Sequence, residues 1–183
     1  MREDVGMLQA IVRKKDGRVL TYPCTPLRPA IDHRIKAKLT ARMRKGGVGD
    51  WIDLGVLSER VVTNAFVNLL VDALQGISGA TINTFKYHDT GTGTTAEAVG
   101  NTGLETPCGE ARDTGTQIEG ASANIYKSVA THTYAGTFDI TEHGLFSAAA
   151  AGTLMDHSVF SAIPVEASDE VEWSYSLTVV AGG

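Results

Sequence analysis

The stretch Glu170-Val171-Glu172-Trp173-Ser174-Tyr175-Ser176-Leu177-Thr178-Val179 decides the fold. Val171, Trp173, Tyr175, Leu177 and Val179 occupy every second position, with Glu170, Glu172, Ser174, Ser176 and Thr178 between them. Side chains alternate faces along a strand, so one face of this run is apolar and the other is wet. That pattern predicts a half-buried antiparallel strand, one wall of a β-sandwich or barrel. Trp173, the largest side chain on the apolar face, is expected to anchor the core.

Working back from this strand, the sequence after residue 81 reads as β throughout. Strands are predicted near 82–88, 115–119, 123–133, 136–142, 153–160 and 170–180. Turn signals fall at Asp89-Thr90-Gly91, Tyr134-Ala135-Gly136, His143-Gly144 and Ala151-Gly152. Before them lies a helical pattern. Ser58 reads as the N-cap of a helix through Gln75, with Val62, Phe66, Leu69, Leu70, Ala73 and Leu74 at helical spacing and Gly76 just past the end. Val61, Val67 and Val71 lie off that stripe, so the helix has more apolar surface than one buried face needs. The fold class expected is mainly β: a β-sandwich or jelly-roll-like body over 58–183 with one packed helix.

Residues 1–57 read as a basic N-terminal arm and linker. Met7–Val12 and Val19–Tyr22 flank an Asp16-Gly17 turn signal and suggest a hairpin. Pro23, Pro26 and Pro29 favour an extended path. From Ala30 to Lys45, the residues Ile31, Ile35, Leu39 and Met43 recur every fourth position among basic residues, which predicts a short amphipathic helix. Trp51–Leu57 reads as a linker with apolar anchors.

Charge divides the chain in the same place. Residues 1–50 hold twelve Lys/Arg and five Asp/Glu, net +7, whereas the remainder holds four and sixteen, net −12. A basic arm on an acidic body suits an acidic protein partner, with Arg13, Lys14, Lys15, Arg18, Arg28, Arg34, Lys38, Arg42, Arg44 and Lys45 as the candidate contact residues. Nucleic acid is the less favoured partner, because the arm holds a single aromatic, Tyr22, and no base-reading motif.

Catalytic signatures are missing from the sequence. Gly91-Thr92-Gly93-Thr94-Thr95 lacks the GK[ST] ending of a phosphate-binding loop and has no βαβ context. The five histidines show no HExxH or other paired metal spacing. Glu142-His143 and Asp156-His157 offer acid–base partners without a nucleophile motif, and a structural role at a strand-end turn is expected for the first pair. No cofactor is implied, and the expectation is a protein that is not an enzyme. Cys24 and Cys108 lie in no CxxC motif; two free thiols or a disulfide are both open. No apolar run reaches the roughly 18 residues of a membrane span, and no apolar stretch follows Met1–Asp4 as a secretory signal would require.

Two further stretches carry a resemblance. Tyr87-His88-Asp89-Thr90-Gly91-Thr92-Gly93-Thr94-Thr95, continuing to Leu104, resembles a strand–GTGTT–loop segment of tailed-bacteriophage virion proteins. Ile140-Thr141-Glu142-His143-Gly144-Leu145-Phe146-Ser147 is similar to an ITExGLF stretch that follows it in the same proteins. With the terminal strand, the likeness spans about residues 61–180. It implies a virion structural protein, first of all a capsid decoration (cement) protein bound to the major capsid protein. It also implies a homotrimer assembled in the host cytoplasm. A tail, neck or fibre adaptor is the alternative. A carbohydrate-binding receptor module would want an exposed aromatic cluster, and most of the five Tyr, five Phe and two Trp read as buried.

Overall fold

The computed structural model describes residues 9–13, 19–23, 35–59 and 61–180. The chain divides into two compact units, residues 1–33 with 181–183, and residues 34–180. In the first unit β1 (Gln9–Arg13) pairs antiparallel with β2 (Val19–Pro23), which is the hairpin expected there. The Asp16-Gly17 turn lies outside the described residues.

The second unit holds two five-stranded antiparallel sheets and one α-helix. Its strands, in chain order, are β3 (Ile35–Arg44), β4 (Ile52–Ser58), β5 (Val61–Val62), β6 (Tyr87–Gly91), β7 (Asp113–Thr114), β8 (Thr116–Glu119), β9 (Ile125–Thr133), β10 (Phe138–Phe146), β11 (Leu154–Val165) and β12 (Glu170–Val179). One sheet has the order β5-β11-β10-β6-β7 and the other β4-β3-β12-β9-β8. β12 is the central strand of its sheet, zipped to β3 along ten residue pairs from Glu170↔Arg44 to Val179↔Ile35 and to β9 along the other side. Its expected apolar face is buried: Val171, Trp173 and Tyr175 are at 0% exposure. A single buried cluster takes Leu39, Trp173 and Tyr175 from this sheet and Ile140, Leu145 and Val165 from the other. Each such large side chain contributes about 1.5–3 kcal/mol by leaving water.

Four local expectations are corrected. The basic helix over 30–45 is instead β3 from residue 35 onward. A spacing of four is shared by a helix turn and a doubled strand repeat. Ala37 and Ala41, at 5% and 4% exposure, complete an alternating buried set with Leu39 and Met43. Ile52–Ser58 is an edge strand rather than a linker. The helix, α1, runs over Asn64–Leu74, and its N-cap is Thr63, whose hydroxyl accepts from Phe66 N. Ser58 ends β4 instead. At the other end Gly76 N donates to Ala73 O and Ile77 N to Asp72 O, the paired bonds of a glycine-terminated helix. The β10 strand runs on through His143-Gly144, where a turn was expected.

Candidate functional site

Several of the ten basic residues expected to contact a partner belong to the sheet. Lys38, Arg42 and Arg44 project from β3 on the face opposite Leu39 and Met43. Arg42 pairs with Glu172 at 2.8 Å, Arg44 with Glu170 at 2.6 Å, and Lys45 with Asp169 at 2.7 Å. Arg42 and Arg44 also place their guanidinium carbons 4.8 and 4.7 Å from the Trp51 ring centroid. Arg13 lies in β1, while Lys14, Lys15, Arg18, Arg28 and Arg34 lie outside the described residues.

The polar groups of the two motifs meet at Glu142. This residue is fully buried, and its carboxylate accepts from Gly93 N (3.0 Å), Thr106 N (2.7 Å), Glu105 N (2.9 Å) and His157 Nε2 (2.9 Å). The glycine-rich loop, in which no phosphate site was expected, cradles a carboxylate of its own chain. A second carboxylate, Glu105, accepts from Thr94 N and Thr95 N at 2.8 Å each and from the Thr95 hydroxyl at 2.6 Å. Glycine at 91 and 93 is dictated by this approach, since a Cβ at either would come within 2.4–2.6 Å of Glu142 Oε1. At Gly144 the cause is packing: a Cβ there would lie 3.0 Å from Leu104 and 2.8 Å from Phe146. The leucine that ends the first motif thus sits over the glycine of the second.

His157 completes this outer cluster. Its Nδ1 is 3.0 Å from Asn101 Oδ1, an oxygen that also accepts from Ala98 N. Both ring nitrogens are therefore held by side-chain oxygens, Nε2 by Glu142 and Nδ1 by Asn101. His157 and Asn101 floor a depression of about 410 Å³ rimmed by Thr95, Gly103 and Leu104.

The neighbours of Glu142 and His157 in sequence face the other way, into the core. His143 Nε2 is 3.0 Å from His88 Nδ1, and His88 Nε2 is 2.8 Å from Ser128 Oγ. A relay from His143 through His88 to Ser128 leaves only an acceptor, His143 Nδ1, without a partner. Burial pushes His88 down to about 3 and His143 in the same direction, so both are neutral rings. Asp156 is also inside, at 1% exposure; burial raises it to about 7, although its Oδ1 accepts from the Ser158 hydroxyl. Sequence adjacency had suggested Glu142-His143 and Asp156-His157 as pairs. The alternation of strand faces separates each pair, and the bond that forms is Glu142 to His157 across β10 and β11.

Two further sites were missed in the sequence. His132 bridges Glu110 and Asp113 through its two ring nitrogens; burial opposes its charge, but those bonds and charges outweigh burial and its pKa is raised. Arg112 binds Asp89 at 2.9 Å and the carbonyls of Ala148 and Ala151, with its guanidinium carbon 3.4 Å from the Phe146 ring centroid. In both, the partners are 19 or more residues apart along the chain, so no local signal marks them. Cys108 is a free thiol, raised to about 11 by burial. Among the described residues no group of three or more His, Cys, Asp or Glu is arranged to hold a metal. No described helix is long and apolar enough to cross a membrane. Comparison with protein-family models, curated proteins and solved structures found no match to the chain.

Proposed function

We propose that this chain is a structural protein of a tailed-bacteriophage virion, acting as a capsid decoration protein that binds the major capsid protein and stabilises the shell. One observation carries the reading. The two stretches that resemble virion proteins fold as one unit: β6 pairs with β10 with Gly91 opposite Glu142, and Glu142 then holds the following loop by its backbone amides. Glu142, the carboxylate of the second motif, is spent on internal bonds that shape the loop of the first, which suits a scaffold. We read the two sheets as the faces of a β-sandwich of jelly-roll kind; their shared buried cluster and the adjacency of the first and last body strands, β3 and β12, support this.

A homo-oligomer, with three copies favoured, fits the same role. Val67, Val71 and Leu74 remain 41%, 46% and 80% exposed along one side of α1. Val67 and Val71 belong to the surplus apolar set expected from the sequence, and Leu74 joins them; the side chain of Val61 lies outside the described residues. Multivalent attachment at a symmetric shell position strengthens weak individual contacts. Averaged images of virions that carry a labelled copy test the assignment. Density on the outer capsid surface is the expected result. Density confined to the tail, neck or fibres would replace it with the adaptor reading, and absence from the particle would overturn both.

A further inference from the structure

The outer face of the β12 sheet carries a trough that none of the structural roles above uses. Because β3, β12 and β9 are in register, its floor can be read in rows: Thr40–Ser174–Val129, then Lys38–Ser176–Lys127. Two depressions of about 450 Å³ each share Thr40, Lys127 and Ser174 and form one continuous trough. One end reaches Trp51 and the Arg42–Glu172 pair, and the other reaches Thr178 and Ile125. Each depression falls in the range of about 300–1,000 Å³ typical of ligand sites.

Two features point to a ligand. Ser174 is 8% exposed, its side chain lies on the trough side, and its hydroxyl has no hydrogen-bond partner. A buried hydroxyl left unpaired is costly, so a partner from outside the chain is favoured. Lys38 and Lys127 flank Ser176 from the two neighbouring strands, and neither forms an ion pair among the described residues. They stand about 10 Å apart at the backbone, two strand spacings, with long side chains able to converge on one anion. Arg42 and Arg44 are already neutralised by Glu172 and Glu170.

We propose that this trough binds an acidic oligosaccharide, one bearing carboxylates on its sugar rings. The two lysines take the carboxylates. Thr40, Ser174, Ser176 and Thr178 exchange hydrogen bonds with ring hydroxyls. The apolar part of the lining, Ile125 and Ala121, meets the C–H faces of the rings. A peptide is the weaker fit. The trough lies over the face of the sheet, where the backbone amides are already spent in the β3–β12–β9 ladder, whereas extended peptides gain their affinity at open edges. Single-stranded nucleic acid wants several stacking rings, and the trough has one aromatic, Trp51, already covered by two guanidinium groups; an acidic sugar held through its carboxylates on Lys38 and Lys127 does not depend on the aromatic cluster that a neutral-sugar module would want.

Titration calorimetry of the full-length protein with tetragalacturonate and with a disialyl oligosaccharide, near physiological salt, tests this. The neutral maltotetraose and a hexaglutamate peptide serve as comparisons. Saturable binding to at least one acidic sugar is expected, with maltotetraose at least about tenfold weaker, the worth of one hydrogen bond to a charged group. Lys127→Gln and Lys38→Gln should each weaken binding about tenfold on the same grounds, with an unchanged melting temperature. Ser174→Ala is the decisive variant. Its hydroxyl has no partner in the fold, so the melting temperature should hold or rise while affinity falls several-fold. Hexaglutamate binding as tightly as the sugars would reassign the face to an acidic protein partner. No binding to either acidic sugar, or binding indifferent to Ser174 and Lys127, would overturn the site.

Discussion

At the scale of single residues, three kinds of buried side chain carry the fold, and they respond to different probes. Trp173, at 0% exposure, contacts the rings of His143 and Phe160 at 5.1 and 5.8 Å, so Trp173→Ala should cost about 3–5 kcal/mol in chemical denaturation. A loss under about 1 kcal/mol would mean that the core closes around the gap. Glu142→Gln keeps the volume but sets an amide group against three backbone donors and His157. It should destabilise by about 3–5 kcal/mol, as when one partner of a buried pair is removed, and should open the loop 92–107 to proteolysis first. The titrating groups pull in opposite directions with pH. His88 is held at about 3 against an ordinary 6.5, so its contribution is present above pH 6.5 and is lost as pH falls toward 3. His132 is raised, so its contribution is full below pH 6.5 and fades as pH climbs through the higher folded value. Asp156, raised from 3.8 to about 7, stabilises relative to its ionised form below pH 3.8 and loses that advantage as pH rises through 7. Asp156→Asn should therefore raise the urea midpoint at pH 8 and change it little at pH 4; equal shifts at both would rule out ionisation as the cause.

Elements show why some of this was legible and some was not. β12 was plain in the sequence because ten residues alternate without interruption, and the period of a strand has no competitor at that length. β3 was not, because Ile35, Leu39 and Met43 satisfy two periods at once. The residues that break the tie, Ala37 and Ala41, are small enough to pass as neutral on either pattern. The arm's charges were misplaced for the same reason, since Arg34, Lys38, Arg42 and Lys45 read as the basic surround of a helix, whereas Lys38, Arg42 and Arg44 form the outer row of a strand. The Glu142 cluster could not be read at all. Its backbone donors lie 36 to 49 residues away along the chain, and the pairing of β6 with β10 brings them together. α1 sits between these cases: its existence and its end were legible, but its start depended on whether Ser58 or Thr63 capped it. Its exposed stripe makes a prediction at this scale. Val67→Lys with Leu74→Lys should leave the circular dichroism spectrum unchanged, because both side chains already face solvent in the single chain. Light scattering should show a smaller particle than the parent protein. A parent that is already monomeric would remove the oligomer from the proposal.

Across the whole molecule, the position of β3 changes what a truncation means. The basic segment looked separable through residue 50, but its last third is structural. Residues 35–44 fill the place between β4 and β12 and contribute Ala37, Leu39, Ala41 and Met43 to the buried cluster. Removing residues 1–50 strips an interior strand, leaves the β3 edge of β12 unpaired along ten residues and exposes the core beneath it. The burial lost is comparable to the whole net stability of a domain of this size, about 5–15 kcal/mol, so that truncation should not fold. Removing residues 1–33 cuts at the boundary between the two units and should leave a cooperative unfolding transition within a few degrees of the parent. The two deletions together separate folding from docking. If the N-terminal unit is the docking element, the 1–33 deletion will be folded and will fail to attach to particles that the full chain decorates. If it attaches as well as the full chain, docking belongs to the 34–180 unit, and the outer face of the β3–β12–β9 sheet, with Lys38 and Lys127, becomes the surface to mutate next. A 1–50 deletion that folds as well as the 1–33 deletion would contradict the central place of β3 in the sheet.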